Sequence, residues 1–87
     1  MTNLYIYCLF DTFDQFLGLY SSLKSAHRDA LRYCNKGHTP VYLVHENTAT
    51  DPTLVKLRNI FKGKCDLSVA YRTDRSRVKI YKTKIRE

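Results

Sequence analysis

Eighty-seven residues, 44% of them hydrophobic, suffice for one globular domain and exclude two independently folded ones. The three cysteines, Cys8, Cys34 and Cys65, are odd in number, widely spaced and without a CxxC pair, which argues against a disulfide scaffold and a ready-made zinc motif; no apolar run approaches the roughly 18 residues of a membrane-spanning helix. The net charge of +7 is lopsided, because residues 1–51 carry four Lys and Arg against five carboxylates while residues 52–87 carry eleven against three, placing +8 in the second segment.

These bounds lead to the expectation of a protein of the reducing cytoplasm, with no signal peptide, no membrane partner, no metal and no cofactor. A field of one sign concentrated on part of a small domain repels itself, and a polyanion is the natural compensation. At this size folding leaves much surface uncovered, so a homodimer is also expected. Seven of the eleven aromatics are Tyr, whose apolar ring and hydroxyl suit half-exposed binding surfaces.

Along the chain, residues 4–10 put Leu4, Ile6, Cys8 and Phe10 on one face and Tyr5, Tyr7 and Leu9 on the other, the pattern of an interior strand. Asp11 to Asp14 forms a turn. Residues 16–20 make a second strand in which Gly18 marks a bulge or a close backbone approach. Ser21 or Ser22 caps a helix that runs to Lys36 and stops at Gly37. Its apolar side carries Leu23, Ala26, His27, Ala30, Leu31 and Cys34, and its opposite side a stripe of Lys24, Arg28, Arg32 and Lys36. After Pro40, residues 41–45 form a third strand and residues 47–50 a polar loop. Asp51 as cap and Pro52 at the first helical position open a second helix, which turns Leu54, Leu57, Ile60 and Phe61 inward and ends at Gly63. Residues 65–72 and 77–85 alternate as a terminal hairpin in which Arg72 faces Arg77, Tyr71 faces Val78 and Val69 faces Ile80. Beyond Tyr81 the phase changes, with Lys82, Lys84 and Arg86 at inner positions, so a bulge or the end of the sheet's cover is expected there. The resulting fold is α+β, ordered β-β-α-β-α-β-β, with an antiparallel sheet of four or five strands and two helices mainly on one face.

The terminal hairpin carries the functional expectation. Two arginines directly opposed on a strand pair repel unless a phosphate lies between them, and Tyr81 amid RSRVKIYKTKIR interleaves an aromatic with cations as single-strand binders do. The competing reading is an edge strand guarded by charge against aggregation. On the binding reading, the nucleic-acid-binding residues are Arg72, Arg75, Arg77, Lys79, Tyr81, Lys82 and Lys84, with Arg58, Lys62, Arg28 and Arg32 as flanking cations. Tyr5 and Tyr7 either stack bases or lie under a helix or a dimer partner. No catalytic residue is assigned: His27, His38 and His45 stand apart, carboxylates are too scattered for a two-metal site, and three glycines make no phosphate loop.

Phe16-Leu17-Gly18-Leu19-Tyr20-Ser21-Ser22 followed by Lys24-Ser25-Ala26 resembles the opening, strand then F-x-G-x-Y-S-S then a helix with an early K-x-A, of many small proteins of large lytic bacteriophages. The resemblance covers residues 4–36. T-even-type phages encode small basic counter-defence proteins, among them an RNA-binding inhibitor of a toxin–antitoxin endoribonuclease. The hairpin's cations and Tyr81 lead to the expectation of a non-enzymatic, sequence-tolerant RNA binder preferring single-stranded RNA to duplex DNA, and the resemblance adds a candidate role in the host cytoplasm, inhibition of such an endoribonuclease through RNA. A protein-binding inhibitor is the alternative, its basic face set directly against a host toxin, a host enzyme or a CRISPR-type defence complex.

Overall fold

A computed structural model describes residues 5–34 and 40–85. Strands β1 (Tyr5–Phe10) and β2 (Phe16–Tyr20) form the first hairpin, followed by helix α1 (Leu23–Cys34). Next come strands β3 (Tyr42–His45) and β4 (Thr48–Thr50), helix α2 (Leu54–Phe61), and the terminal hairpin of β5 (Leu67–Arg72) and β6 (Arg77–Lys84). All six strands join one sheet in the order β2-β1-β6-β5-β3-β4, and every neighbouring pair is antiparallel. The first strand thus pairs with the last, Leu9 opposite Ile80, and both side chains are fully buried.

Both helices pack on one face. Small residues at Ala26, Ala30 and Cys34 let α1 sit close over β6 and β1, and Leu57 and Phe61 of α2 close the same layer. From the sheet, Leu9, Leu43, Val69, Tyr71, Val78 and Ile80 complete the core. Ser22 is the α1 cap, its hydroxyl accepting the Ser25 amide at 3.1 Å. The expected helix stop at Gly37 lies outside the described residues, as do Lys36 and His38.

Four details differ from the sequence expectation or sharpen it. Residues 47–50, expected as a polar loop, contain β4, because Glu46 and Asn47, at φ 50° and 64°, make a tight turn that folds residues 48–50 back on β3. The α2 cap is Thr53, not Asp51: its Oγ1 accepts the Lys56 amide at 3.2 Å, and Pro52 precedes the cap. In β2, pairing passes from Gly18 opposite Leu9 to Phe16 opposite Phe10, so Leu17 is the extra residue of a bulge and turns toward the core. Gly18 is also a close approach, since a Cβ there would lie 3.1 Å from the Tyr20 ring. Finally, β5–β6 follows the expected register without a bulge as far as Leu67 opposite Lys82. The lysine simply takes an inner position.

One polar pair lies within the helix–sheet layer. His27 Nδ1 and the hydroxyl of fully buried Tyr71 are hydrogen-bonded at 2.6 Å. In a neutral ring either partner can donate, whereas a protonated ring has no acceptor left and gains a charge in a half-buried position. Burial lowers the His27 pKa accordingly. The unfolded chain therefore binds this proton more readily than the folded one, and the stability tied to neutral His27 is complete above about pH 6.5 and lost as pH falls through the lowered folded value. Urea midpoints measured from about pH 7.5 down to about pH 5 should fall, and His27→Gln, which takes up no proton, should flatten that decline.

Candidate nucleic-acid interface

The helices leave the other face of the sheet uncovered, and the strand register dictates what it displays. One row across it runs Tyr42, Arg72, Arg77, from β3 through β5 to β6. The next runs Val44, Ala70, Lys79, Phe10, Phe16 and the third Ser68, Tyr81, Cys8, Leu19. Alternation in β6 thus aligns Arg77, Lys79 and Tyr81 on one line, with Thr83 continuing it.

Small side chains make the centre of this face concave. A depression of about 270 Å³ is lined by Phe10, Ser68, Lys79 and Tyr81, so two aromatic rings and an ammonium border a floor containing a serine. Tyr81 is held in place by its hydroxyl, which donates to Asp66 Oδ1 at 3.2 Å, while Thr83 donates to the same oxygen at 2.7 Å. Desolvation and then this hydrogen bond raise the Tyr81 pKa, keeping the phenol protonated. Lys79 is bound to Asp14 at 2.6 Å, and the hydrogen bond and charge of that lysine hold the Asp14 carboxyl below its ordinary value. Asp14 reaches it from the β1–β2 turn, at φ 61°.

Beside the depression the tips of two hairpins are clasped together. Thr12 Oγ1 accepts the Arg77 amide at 2.9 Å and donates to the Arg77 carbonyl at 3.2 Å. Within the second tip, Thr73 Oγ1 accepts the amides of Arg75 and Ser76, fixing the turn that separates the two facing strands. Between the tips lies a hollow of about 360 Å³ lined by Arg72, Arg75 and Arg77 together with Thr12 and the single acid Asp74. Arg72 and Arg77 are direct cross-strand partners. The Nε of Arg77 is buried without a hydrogen-bond partner, a donor left open beside two further guanidinium groups.

The expected site residues divide between the two faces. Arg72, Arg75, Arg77, Lys79 and Tyr81 come together on the open face and its rim. Lys82 does not: it is 7% exposed on the helix-covered side, where its Nζ donates to the Phe61 carbonyl at 2.8 Å and lies 4.3 Å from the centre of the Tyr5 ring. Lys84, opposite Tyr5, points to the same side at the far end of β6. Arg58 and Lys62 belong to the α2 side and do not flank the hairpin's surface. Arg28 and Arg32 are exposed on α1, at 3.4 and 3.7 Å from Asp29, whose other oxygen accepts the Tyr20 hydroxyl. Tyr5 and Tyr7 are half-buried on the helix-covered side, Tyr7 edge-on to Phe61 and Tyr5 against the Lys82 ammonium, away from the open face.

Sequence reasoning missed Phe10, Thr12, Asp14, Tyr42 and Ser68 as parts of this surface. Alternation already grouped Phe10 with Cys8 and Ile6; what it lacked was which face the helices would leave bare. Among the described residues no three His, Cys, Asp or Glu side chains gather as metal ligands, and no helix is long and apolar enough to cross a membrane. Comparison with protein-family models, curated proteins and solved structures returns no match.

The Thr12 clasp can be tested without any ligand. Thr12→Val keeps the side-chain shape and removes both hydrogen bonds, so the Arg77 amide should exchange with solvent markedly faster, with a stability loss of about 1 kcal/mol by chemical denaturation.

Proposed function

We propose that the protein is a non-enzymatic, largely sequence-tolerant binder of single-stranded RNA in a reducing cytoplasm, and that it binds through the uncovered sheet face. The carrying observation is the juxtaposition of three arginines, one with an open buried donor, and a concave aromatic patch formed by Phe10 and Tyr81. Guanidinium groups meet phosphates with paired donors, and bases stack on aromatic side chains whatever their identity. A surface following one strand suits a single extended chain better than the rigid grooves of duplex DNA. In keeping with the bacteriophage resemblance, such a protein would act against a host toxin–antitoxin endoribonuclease through RNA.

With three arginines on this face and its rim and Lys79 partly neutralised by Asp14, about three or four phosphates should be engaged, giving a log–log salt slope of about −2 to −3 for oligouridine. Fluorescence anisotropy across a salt series measures it, and a flat response would overturn the reading. Changing Arg72 and Arg77 together to Ser should weaken binding by about 2–4 kcal/mol and leave folding intact, since Arg72 is exposed, Arg77 gives up a buried donor that has no partner, and their mutual repulsion is removed. Arg28→Ser with Arg32→Ser deletes equal charge from α1 and should cost far less; equal losses would mean that binding follows net charge alone. Tyr81→Ala should cost about 1–3 kcal/mol and Tyr81→Phe very little, because stacking needs the ring and not the hydroxyl.

Asp14 supplies a test in the opposite direction. Asp14→Asn keeps a residue type that tolerates positive φ and frees Lys79, so affinity should rise and the salt slope should steepen by about 0.7. Unchanged affinity would remove Lys79 from the interface.

One observation favours a second reading. Phe13 is 84% exposed at the first hairpin's tip, and Phe16 and Leu19 of β2 are each 59% exposed, giving the arginine-rich end an apolar border suited to protein contact. A host protein held directly by this border would stay bound after RNase treatment, whereas an RNA-bridged complex would fall apart.

A further inference from the structure

On the helix-covered side, the first turn of α1 and the last turn of α2 stand apart and leave an open cleft of about 510 Å³. Its charged lining is Lys24, Arg58, Lys62 and Lys82, with no carboxylate. Among the described residues Lys24, Arg58 and Lys62 make no ion pair. Lys82 is the most unusual of the four. A lysine ammonium that is more than nine-tenths buried normally has a carboxylate beside it, yet this one has a single carbonyl and the faces of Tyr5 and Phe61. Four converging cations without a counter-charge make the cleft strongly electropositive, while Tyr7 and Phe61, in edge-to-face contact at 6.2 Å, supply an apolar wall.

We propose that this cleft binds the phosphate of a nucleotide, either free or as the 5′ end of an RNA strand. A phosphate monoester carries about −1.5 to −2 and several acceptor oxygens, matching this set of donors better than a carboxylate with its single charge. The volume falls within the range of about 300–1,000 Å³ usual for small-molecule clefts, and the aromatic wall can receive a sugar or base edge. The site lies on the side of the sheet opposite Arg72 and Arg77, so it stands or falls separately from RNA binding on the open face.

Amide resonances of the isotope-labelled protein, followed during addition of inorganic phosphate, adenosine 5′-monophosphate, and oligouridine with and without a 5′-phosphate, test the assignment. Phosphate or the mononucleotide should shift Leu23, Lys24, Arg58 and Lys62 with a dissociation constant of about 1 mM or tighter. Arg58→Ser combined with Lys62→Ser, both exposed positions, should weaken this by about tenfold or more, and Arg72→Ser with Arg77→Ser should leave it unchanged. Shifts at these amides by the 5′-phosphorylated oligomer alone would identify the RNA end as the source, and shifts by the mononucleotide alone a free nucleotide. A cleft silent to every phosphate probe at about 10 mM would overturn the proposal, as would shifts that persist unweakened in the Arg58 and Lys62 variant. Mononucleotide binding in a protein whose open face ignores oligouridine would keep this site and remove the RNA reading above.

Discussion

Everything in this fold depends on the pairing of its first strand with its last. Leu9 and Ile80 face each other in the interior of the sheet, and through them the β1–β2 hairpin and α1 share one core with the β5–β6 hairpin and α2. Neither half has enough apolar surface to stand alone at this chain length. The pairing is also the most distant contact in sequence, so the chain must close its longest loop before the core rewards it, which points to slow folding relative to a helical protein of equal size.

From that pairing follows the asymmetry of the two faces. Both helices pack on one side of the sheet, and small residues at Ala26, Ala30 and Cys34 bring α1 close enough to β1 and β6 to exclude water there. Nothing is left for the other side. Its composition adjusts to exposure by using half-buried aromatics, a serine, an alanine and long cations instead of a continuous apolar layer. Lys82 shows the same rule from within: an inner position near the end of the helical cover accepts a lysine because its amine finds the Phe61 carbonyl and an aromatic face.

Much of this architecture was legible in the residues. Alternation in residues 65–85 gave the register of the terminal hairpin, and the spacing of Ala26, Ala30 and Cys34 gave the face of α1. The strand at residues 48–50 was not, since Glu-Asn lacks the Asn-Gly or Asp-Gly signature that usually marks a two-residue turn with positive φ. The α2 cap lies two residues beyond the expected Asp51: Asp-Pro is a strong opening signal, and Thr53 outcompetes it by reaching the Lys56 amide. For the candidate surface, periodicity grouped Arg77, Lys79 and Tyr81 correctly but could not say which side of β1 would be covered. Contacts set by folding at long range, such as Thr12 on Arg77 and Asp14 on Lys79, leave no local trace in sequence.

The register of β1 and β6 also has a mechanical consequence. Tyr5 is opposite Lys84, so the outer ends of these two paired strands emerge side by side from one end of the sheet, away from the clasped tips at Thr12 and Arg77. Tension applied between those ends would act across the hydrogen bonds and not along the strands, breaking the ladder one pair at a time. Such a zipper offers little resistance to a pulling translocase, even though the same pair forms the thermodynamic centre of the protein.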